Sequence, residues 1–249
     1  MEEESLEIRK EELSKKYNID FDKLEKEQIK LAKDLKIKDK IDFSLVNKFG
    51  AFENIFIKNK ILSCLVVLDN NFDIIDQCYV IEKIHFPYFP GFRSYRELPS
   101  MIKALEKING RLDVVFISGQ GIIHPRLGLA SHFGLSTGIP AIGVSDFIKD
   151  CEFKEEDNSE IKKNPKNDVL LHFKKYGDSR HNKIVGKVLI AKKKSNSLYI
   201  SPGNNISVES AYNLSKRLIV HPHKRPEPIH IASKYAKSVK KELEFKSNP

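Results

Sequence analysis

No apolar run in the 249 residues approaches the roughly 20 consecutive residues that a membrane helix needs, which excludes a helical span. The start, Met1-Glu2-Glu3-Glu4, is acidic and lacks the basic opening and apolar centre of a signal peptide, so a cytoplasmic protein with no membrane partner is expected. Cysteine is scarce. Cys64, Cys78 and Cys151 are odd in number, far apart and outside any Cys-x-x-Cys pattern, which argues against a disulfide framework or a cysteine-built zinc site and predicts small buried hydrophobes. No internal repeat is visible.

What the chain does have is positive charge. Lysine and arginine number 43 against 34 acids, giving a net charge of +9 and a pI near 9.2, a balance that favours a polyanionic partner without specifying a fold. Hydrophobic residues at 40% and charged residues at 31% describe one sizeable core with a solvated surface.

The pattern divides into an N-terminal helical extension over residues 1–40 and a domain over residues 41–249 whose C-terminal part is basic. Leu6, Ile8, Leu13, Leu24, Ile29, Leu31 and Leu35 recur at helical spacing among Glu and Lys, interrupted by Tyr17-Asn18-Ile19-Asp20. From Phe49 the period shortens. Residues 51–57, 61–68 and 72–84 predict three strands joined by tight turns, the second a near-continuous apolar run of the kind buried on both faces. A helix over 97–108, a short strand over 113–117, a helix over 127–136 and a strand over 139–144 then require parallel crossovers. The predicted fold class is therefore α/β: a mixed sheet in which an antiparallel three-strand meander is extended by parallel strands, with helices on both faces. Further on, residues 169–173 are a strand candidate, 184–190 and 198–201 a hairpin, Ser207 the cap of a helix over 208–220, and residues 231–244 a last basic helix.

Candidate chemistry concentrates in residues 86–132. Tyr88 and Phe89 lie between Pro87 and Pro90, with Gly91 next, so a stiff loop presents aromatic rings; the plainer reading is an ordinary proline turn. Glu97 sits at a predicted helix start, where an acid is favoured by the dipole. A glycine-spaced loop, Ser118-Gly119-Gln120-Gly121-Ile122, then runs into His124-Pro125-Arg126.

These motifs resemble the endonuclease V family, over residues 27–236. Pro-Tyr-aromatic-Pro-Gly followed by aromatic-Arg-Glu stands at 87–97, Gly-x-Gly-Ile-x-His-Pro-Arg at 119–126, Gly-Leu-Ala-Ser-His at 128–132, Ile-Pro-x-Ile-Gly-Val at 139–144 and Arg-Pro-Glu-Pro at 225–228. The resemblance implies a ribonuclease H-like fold, recognition of deaminated or unpaired bases, inosine especially, in DNA or RNA, and Mg²⁺-dependent hydrolysis of a nearby phosphodiester. It implies that Pro87, Tyr88, Phe89 and Pro90 act as a wedge. Backbone around Gly91, Gly119, Gly121 and Ile122, with His124 and Arg126, would then serve the base and its strand. Tyr88 could stack where a base has been extruded, recovering part of an unstacking cost of a few kcal/mol.

The catalytic positions implied by the resemblance are another matter. Glu97 is retained, but Phe52 stands where the first aspartate belongs and Ser118 where the second belongs. Asp146 replaces the family's lysine, Asn204 its histidine, and one arginine after His124-Pro125-Arg126 is missing, since Leu127 follows directly. Neither phenyl nor hydroxyl replaces a carboxylate around a hard cation. Cleavage is therefore expected to be lost or impaired. One alternative is an active nuclease whose Glu97, Asp146 and Glu53 form a rearranged carboxylate cluster; read by itself, Asp146 is a helix cap and Glu53 points to the opposite strand face from position 52. A further alternative is a protein-interaction scaffold.

His132 fits a structural role, and His221 and His223 a solvated or phosphate-facing loop, because no third ligand is apparent beside them. Lys174, Lys175, Arg180, Lys183, Lys187, Lys192, Lys193, Lys194, Lys216, Arg217, Lys224 and Arg225 are expected to give salt-sensitive cationic cover.

Overall fold

The computed structural model describes residues 2–148, 151–152, 169–173, 183–191 and 196–247. Two helices open the chain, α1 (Glu2–Tyr17) and α2 (Phe21–Ala32), separated at the predicted interruption. Asn18 adopts φ +53, and the Asp20 carboxylate accepts the Lys23 N–H at 2.9 Å to start α2.

The strands β1 (Phe49–Ile57), β2 (Lys60–Leu68) and β3 (Ile74–Lys83) form the expected antiparallel meander. Then come α3 (Arg93–Leu105), β4 (Val114–Ser118), α4 (Leu129–Thr137) and β5 (Ala141–Ser145), with β4 parallel to both β1 and β5. The sheet continues through β9 (Leu198–Asn204), β8 (Ile184–Leu189), β7 (Val169–Phe173) and β6 (Cys151–Glu152), all antiparallel, in the order β3-β2-β1-β4-β5-β9-β8-β7-β6. Two C-terminal helices follow, α5 (Val208–Arg217), which Ser207 caps through the Ser210 N–H at 3.1 Å, and α6 (Glu227–Ser247). No described helix is long and apolar enough to cross a membrane.

Strand alternation assigns side chains to two cores. Phe52, Leu65, Val115 and Ile117 face α3 and α4, meeting Leu98, Met101, Leu129 and Phe133. Phe49, Ala51, Val114, Phe116, Ile142 and Val144 point the other way, onto Ala211, Tyr212, Leu214, Ile229 and Ala232 of α5 and α6. Cys64 is buried against α6 and Cys78 is partly buried; both thiols are free, and burial lifts them to about 12 and about 11, which keeps them protonated and inert.

One boundary moves the site. α3 begins at Arg93, four residues before the predicted start, so Glu97 lies in the second turn and Pro99 inside the helix rather than in its first turn. An Arg93 to Glu97 ion pair at i,i+4 spacing offsets part of what the proline removes.

Candidate nucleic-acid interface and carboxylate pocket

The loop preceding α3 is bolted to α2. Phe21 is 1% exposed, and its ring lies 5.8 Å from Phe86, 4.8 Å from Phe89 and 5.1 Å from Phe92. Burying such a cluster is worth several kcal/mol by the usual area rule, about 25 cal/mol per Å². Gly91 turns the chain at φ +83, a left-handed conformation in which a Cβ would also lie 2.3 Å from the Arg126 guanidinium. Its carbonyl accepts from Gln28 Nε2 at 3.0 Å and Arg126 Nη2 at 3.3 Å. Arg126 donates in addition to Gln28 Oε1 at 2.7 Å, pairs with Glu25 at 3.3 Å and lies over the Phe92 ring at 4.7 Å.

This divides the implied wedge into support and tip. Pro87 and Phe89 are buried, Pro90 is exposed, and Tyr88 stands out at 57% exposure. Arg126, expected among the strand contacts, is occupied in holding the loop to the N-terminal helices. Nothing in its own motif signals this, because its partners Glu25 and Gln28 lie about a hundred residues away in sequence.

The glycine loop is packed inside rather than presented. Gly119 N–H donates to Val144 O at 2.9 Å, Gly121 N–H to Ser201 Oγ at 3.0 Å and Ile122 N–H to Pro202 O at 2.9 Å, while Gly121 O accepts from His124 N–H at 3.2 Å. A Cβ on Gly121 would stand 2.1 Å from Pro202 O. The glycines therefore permit β9 to approach, and the N–H groups of Gly119, Gly121 and Ile122 donate within the fold. Ile122 is 8% exposed and packs with Ile123, Val185 and Val188. His124 Nδ1 accepts the Arg126 N–H at 3.0 Å and remains partly exposed. A cleft of about 450 Å³ opens beside this loop, lined by Ile29, Leu35, Ile37, Ile122, Pro125 and Arg126 among others.

His132 is partly buried edge-on to Tyr95 at 5.5 Å, and its buried Nδ1 meets no hydrogen-bond partner among the described residues. Burial lowers its pKa from the ordinary 6.5, the Glu27 charge opposing. A depressed imidazole contributes stability that is complete above its unfolded pKa and lost as pH falls from there through the folded pKa. The wild type is accordingly expected to lose more stability between pH 6.5 and about 5 than a His132→Phe variant, which keeps a ring against Tyr95. Urea midpoints at the two pH values measure it.

The carboxylates are each occupied. Glu97, 2% exposed, accepts from Arg93 Nε at 2.5 Å and Nη2 at 3.0 Å, and from Asn54 Nδ2 at 2.8 Å. Asn54 Oδ1 in turn accepts from Ser63 Oγ at 2.7 Å, which meets Ser100 Oγ at 2.6 Å. Phe52, on the α3 side of the sheet, is 1% exposed with its ring 5.4 Å from Phe133. On the opposite side Ser118 Oγ donates to Glu53 Oε2 at 3.1 Å; burial raises the Glu53 pKa, with Ser118, Arg225, Arg93 and Lys237 opposing. Asp146 pairs with Arg225 and caps no helix among the described residues. Asn204 is a buried brace, accepting Lys36 N–H at 2.8 Å and donating to Gly134 O at 3.0 Å.

Among the described residues of the expected cationic cover, Lys183 is exposed and Arg225 half-buried, and Lys187 departs from the rest. Lys187 is 7% exposed, pairs with Glu209 at 2.6 Å and lies 5.0 Å from the Tyr212 ring, so it serves the fold. Lys216 also lies over Tyr212, at 5.3 Å, while Arg217 and Lys224 are exposed. Lys174, Lys175, Arg180 and Lys192 to Lys194 lie outside the described residues.

A sheet with an antiparallel meander, parallel central strands and helices on both faces, carrying an acid on the helix after the meander, is a ribonuclease H-like α/β architecture. The endonuclease V from Ciona intestinalis, solved with a 24mer DNA containing an inosine followed by a ribo-adenosine, shares this fold. Its TM-score is 0.79 at 24% identity, over 90% of this chain and 98% of that one. Human endonuclease V gives 0.76 at 22% identity, over 88% and 97%. In sequence the chain is 34% identical to the endonuclease V of Thermosipho melanesiensis over 214 residues, 86% of this chain and 84% of the relative. It is 32% identical to that of Dictyoglomus thermophilum over 219 residues, 85% and 89%. The family profile for endonuclease V matches residues 29–234, and the chain belongs to the endonuclease V family.

The family is generally metal-dependent, so the pocket has to be asked whether it fits a hard divalent cation. It does not. Glu97 is wrapped by Arg93 and Asn54, the half-exposed Asp146 pairs with Arg225, and Phe52 offers no oxygen. Among the described residues the only gathered trio of ligand-type side chains is elsewhere, so the alternative cluster of Glu97, Asp146 and Glu53 is not assembled. Two guanidiniums neutralise acids that a metal would need free.

Proposed function

We propose that this member of the endonuclease V family binds DNA or RNA carrying deaminated bases, inosine above all, and holds it without metal-dependent cleavage. One observation carries the reading: an exposed Tyr88 on a loop fixed by Phe21, Gln28 and Arg126, a short distance in sequence from a Glu97 already neutralised by Arg93. A stacking ring needs no metal. The preset loop avoids an ordering cost at binding, and the cleft beside Ile122 and Arg126 exceeds the volume of a nucleobase. The Ciona intestinalis proteins solved with inosine-containing DNA support the same class of ligand. Exposed Arg217 and Lys224 would add phosphate contacts that weaken with salt.

Fluorescence anisotropy with labelled single strands differing only in one inosine or adenosine tests it. Tighter binding of the inosine strand at fixed salt is expected, and equal affinity for both would refute base recognition.

A further inference from the structure

The turn before α6 and the first turns of that helix gather three ligand-type side chains that the nucleic-acid reading does not use. Glu227 and His230 are three residues apart on one helical face, and His223 precedes Glu227 by four. The chain is folded back at this point, with His223 N–H donating to Val220 O at 2.8 Å and Glu227 N–H to Leu218 O at 2.7 Å. As a result His223 Nδ1 lies 2.7 Å from Glu227 Oε2, the His223 and His230 rings stack at 3.6 Å and 18°, and one ligand atom from each residue lies within 4.8 Å of the others. Glu227 is 8% exposed, and a carboxylate that dry calls for a cation or strong donors.

We propose that His223, Glu227 and His230 form a binding site for one borderline divalent cation of the zinc type, with a fourth position open to water. Two imidazoles and one carboxylate suit Zn²⁺ or Co²⁺, whereas Mg²⁺ prefers an all-oxygen shell. Burial, then the neighbouring His223, and Lys234 and Lys237 beyond it, hold the His230 pKa below its ordinary value, Glu227 opposing; the neutral imidazole that results is the ligating form. Entry of the metal requires the His223 to Glu227 contact to open by a few tenths of an ångström and the stacked rings to turn until their lone pairs converge, because ligand atoms in a tetrahedral shell lie about 3.3 Å apart. Ligation by His223 Nδ1 requires the tautomer protonated at Nε2, and a doubly protonated imidazole cannot ligate, so affinity falls with acid. Arg225 lies between His223 and Glu227 in sequence and pairs with Asp146, so occupancy would fix that guanidinium where it also faces Glu53. The proposal does not depend on what the wedge binds.

The full chain, stripped with a chelator, is titrated with Co²⁺ by visible absorption and with Zn²⁺ by calorimetry. One equivalent is expected, with Co²⁺ bands abolished by Zn²⁺ and unaffected by millimolar Mg²⁺. His223→Ala and His230→Ala, both at partly exposed positions, should each weaken Zn²⁺ at least tenfold while circular dichroism stays native. Absence of saturable binding, unchanged affinity in both variants, or a loss confined to one of them would overturn the three-ligand site.

Discussion

Alanine at Tyr88 is expected to weaken binding to an inosine-containing single strand by roughly 5- to 150-fold, the loss of one base-stacking contact at about 1–3 kcal/mol. Tyr88 is 57% exposed while its neighbours Pro87 and Phe89 are buried, so the substitution removes a ring from solvent and leaves the supporting cluster with Phe21 and Phe92 intact. Folding should therefore be unaffected, with a change in thermal midpoint of no more than a degree or two, as for other surface positions. Tyr88→Phe keeps the π-face and is expected to bind nearly as the wild type does. If both variants match the wild type in anisotropy titrations at one salt concentration, the ring is an ordinary surface residue and the wedge reading fails.

Glu97→Ala should act on stability instead. Removing the carboxylate leaves Asn54 without an acceptor and Arg93 without its bidentate partner in a pocket where Glu97 is 2% exposed. Breaking a fully buried pair costs about 3–5 kcal/mol; because the Arg93 side chain is 45% exposed and can turn to water, about 2–3 kcal/mol is expected here. For a chain of this size that lowers the thermal midpoint by roughly 4–12 °C. In an enzyme whose Glu97 held a metal, the same substitution would remove cleavage and relieve carboxylate repulsion. Calorimetry together with a binding titration separates the two: here the midpoint falls and the affinity of folded protein for an inosine strand is retained.

The layout of the sheet could be read from periodicity because its determinants are local. The apolar runs of β2, β4 and β5, the turn residues between β1, β2 and β3, and the Ser207 cap each declare themselves within a few residues. Phe52 and Ser118 stand inside recognisable motifs, so the resemblance by itself implies two departures from the family's carboxylate positions. What the sequence concealed depends on contacts distant along the chain. The bonds that Arg126 makes to Gln28 and Glu25, and those that Asn204 makes to Lys36 and Gly134, appear only once the chain is folded. Arg93 is an intermediate case. Its i,i+4 relation to Glu97 was present in the sequence, but it carries meaning only if α3 starts at Arg93, and the proline at position 99 drew the predicted start too late. The histidine trio was hidden similarly, since His230 looks unrelated to His223 until the helix begins at Glu227.

Holding without hydrolysis means that the folded protein leaves the strand it binds uncut. Full-length chain incubated with inosine-containing single- and double-stranded DNA and RNA, in Mg²⁺ or Mn²⁺, at concentrations that saturate binding, is expected to leave every strand intact on a denaturing gel. Cleavage near the inosine that requires the added metal and disappears in Glu97→Ala would contradict it.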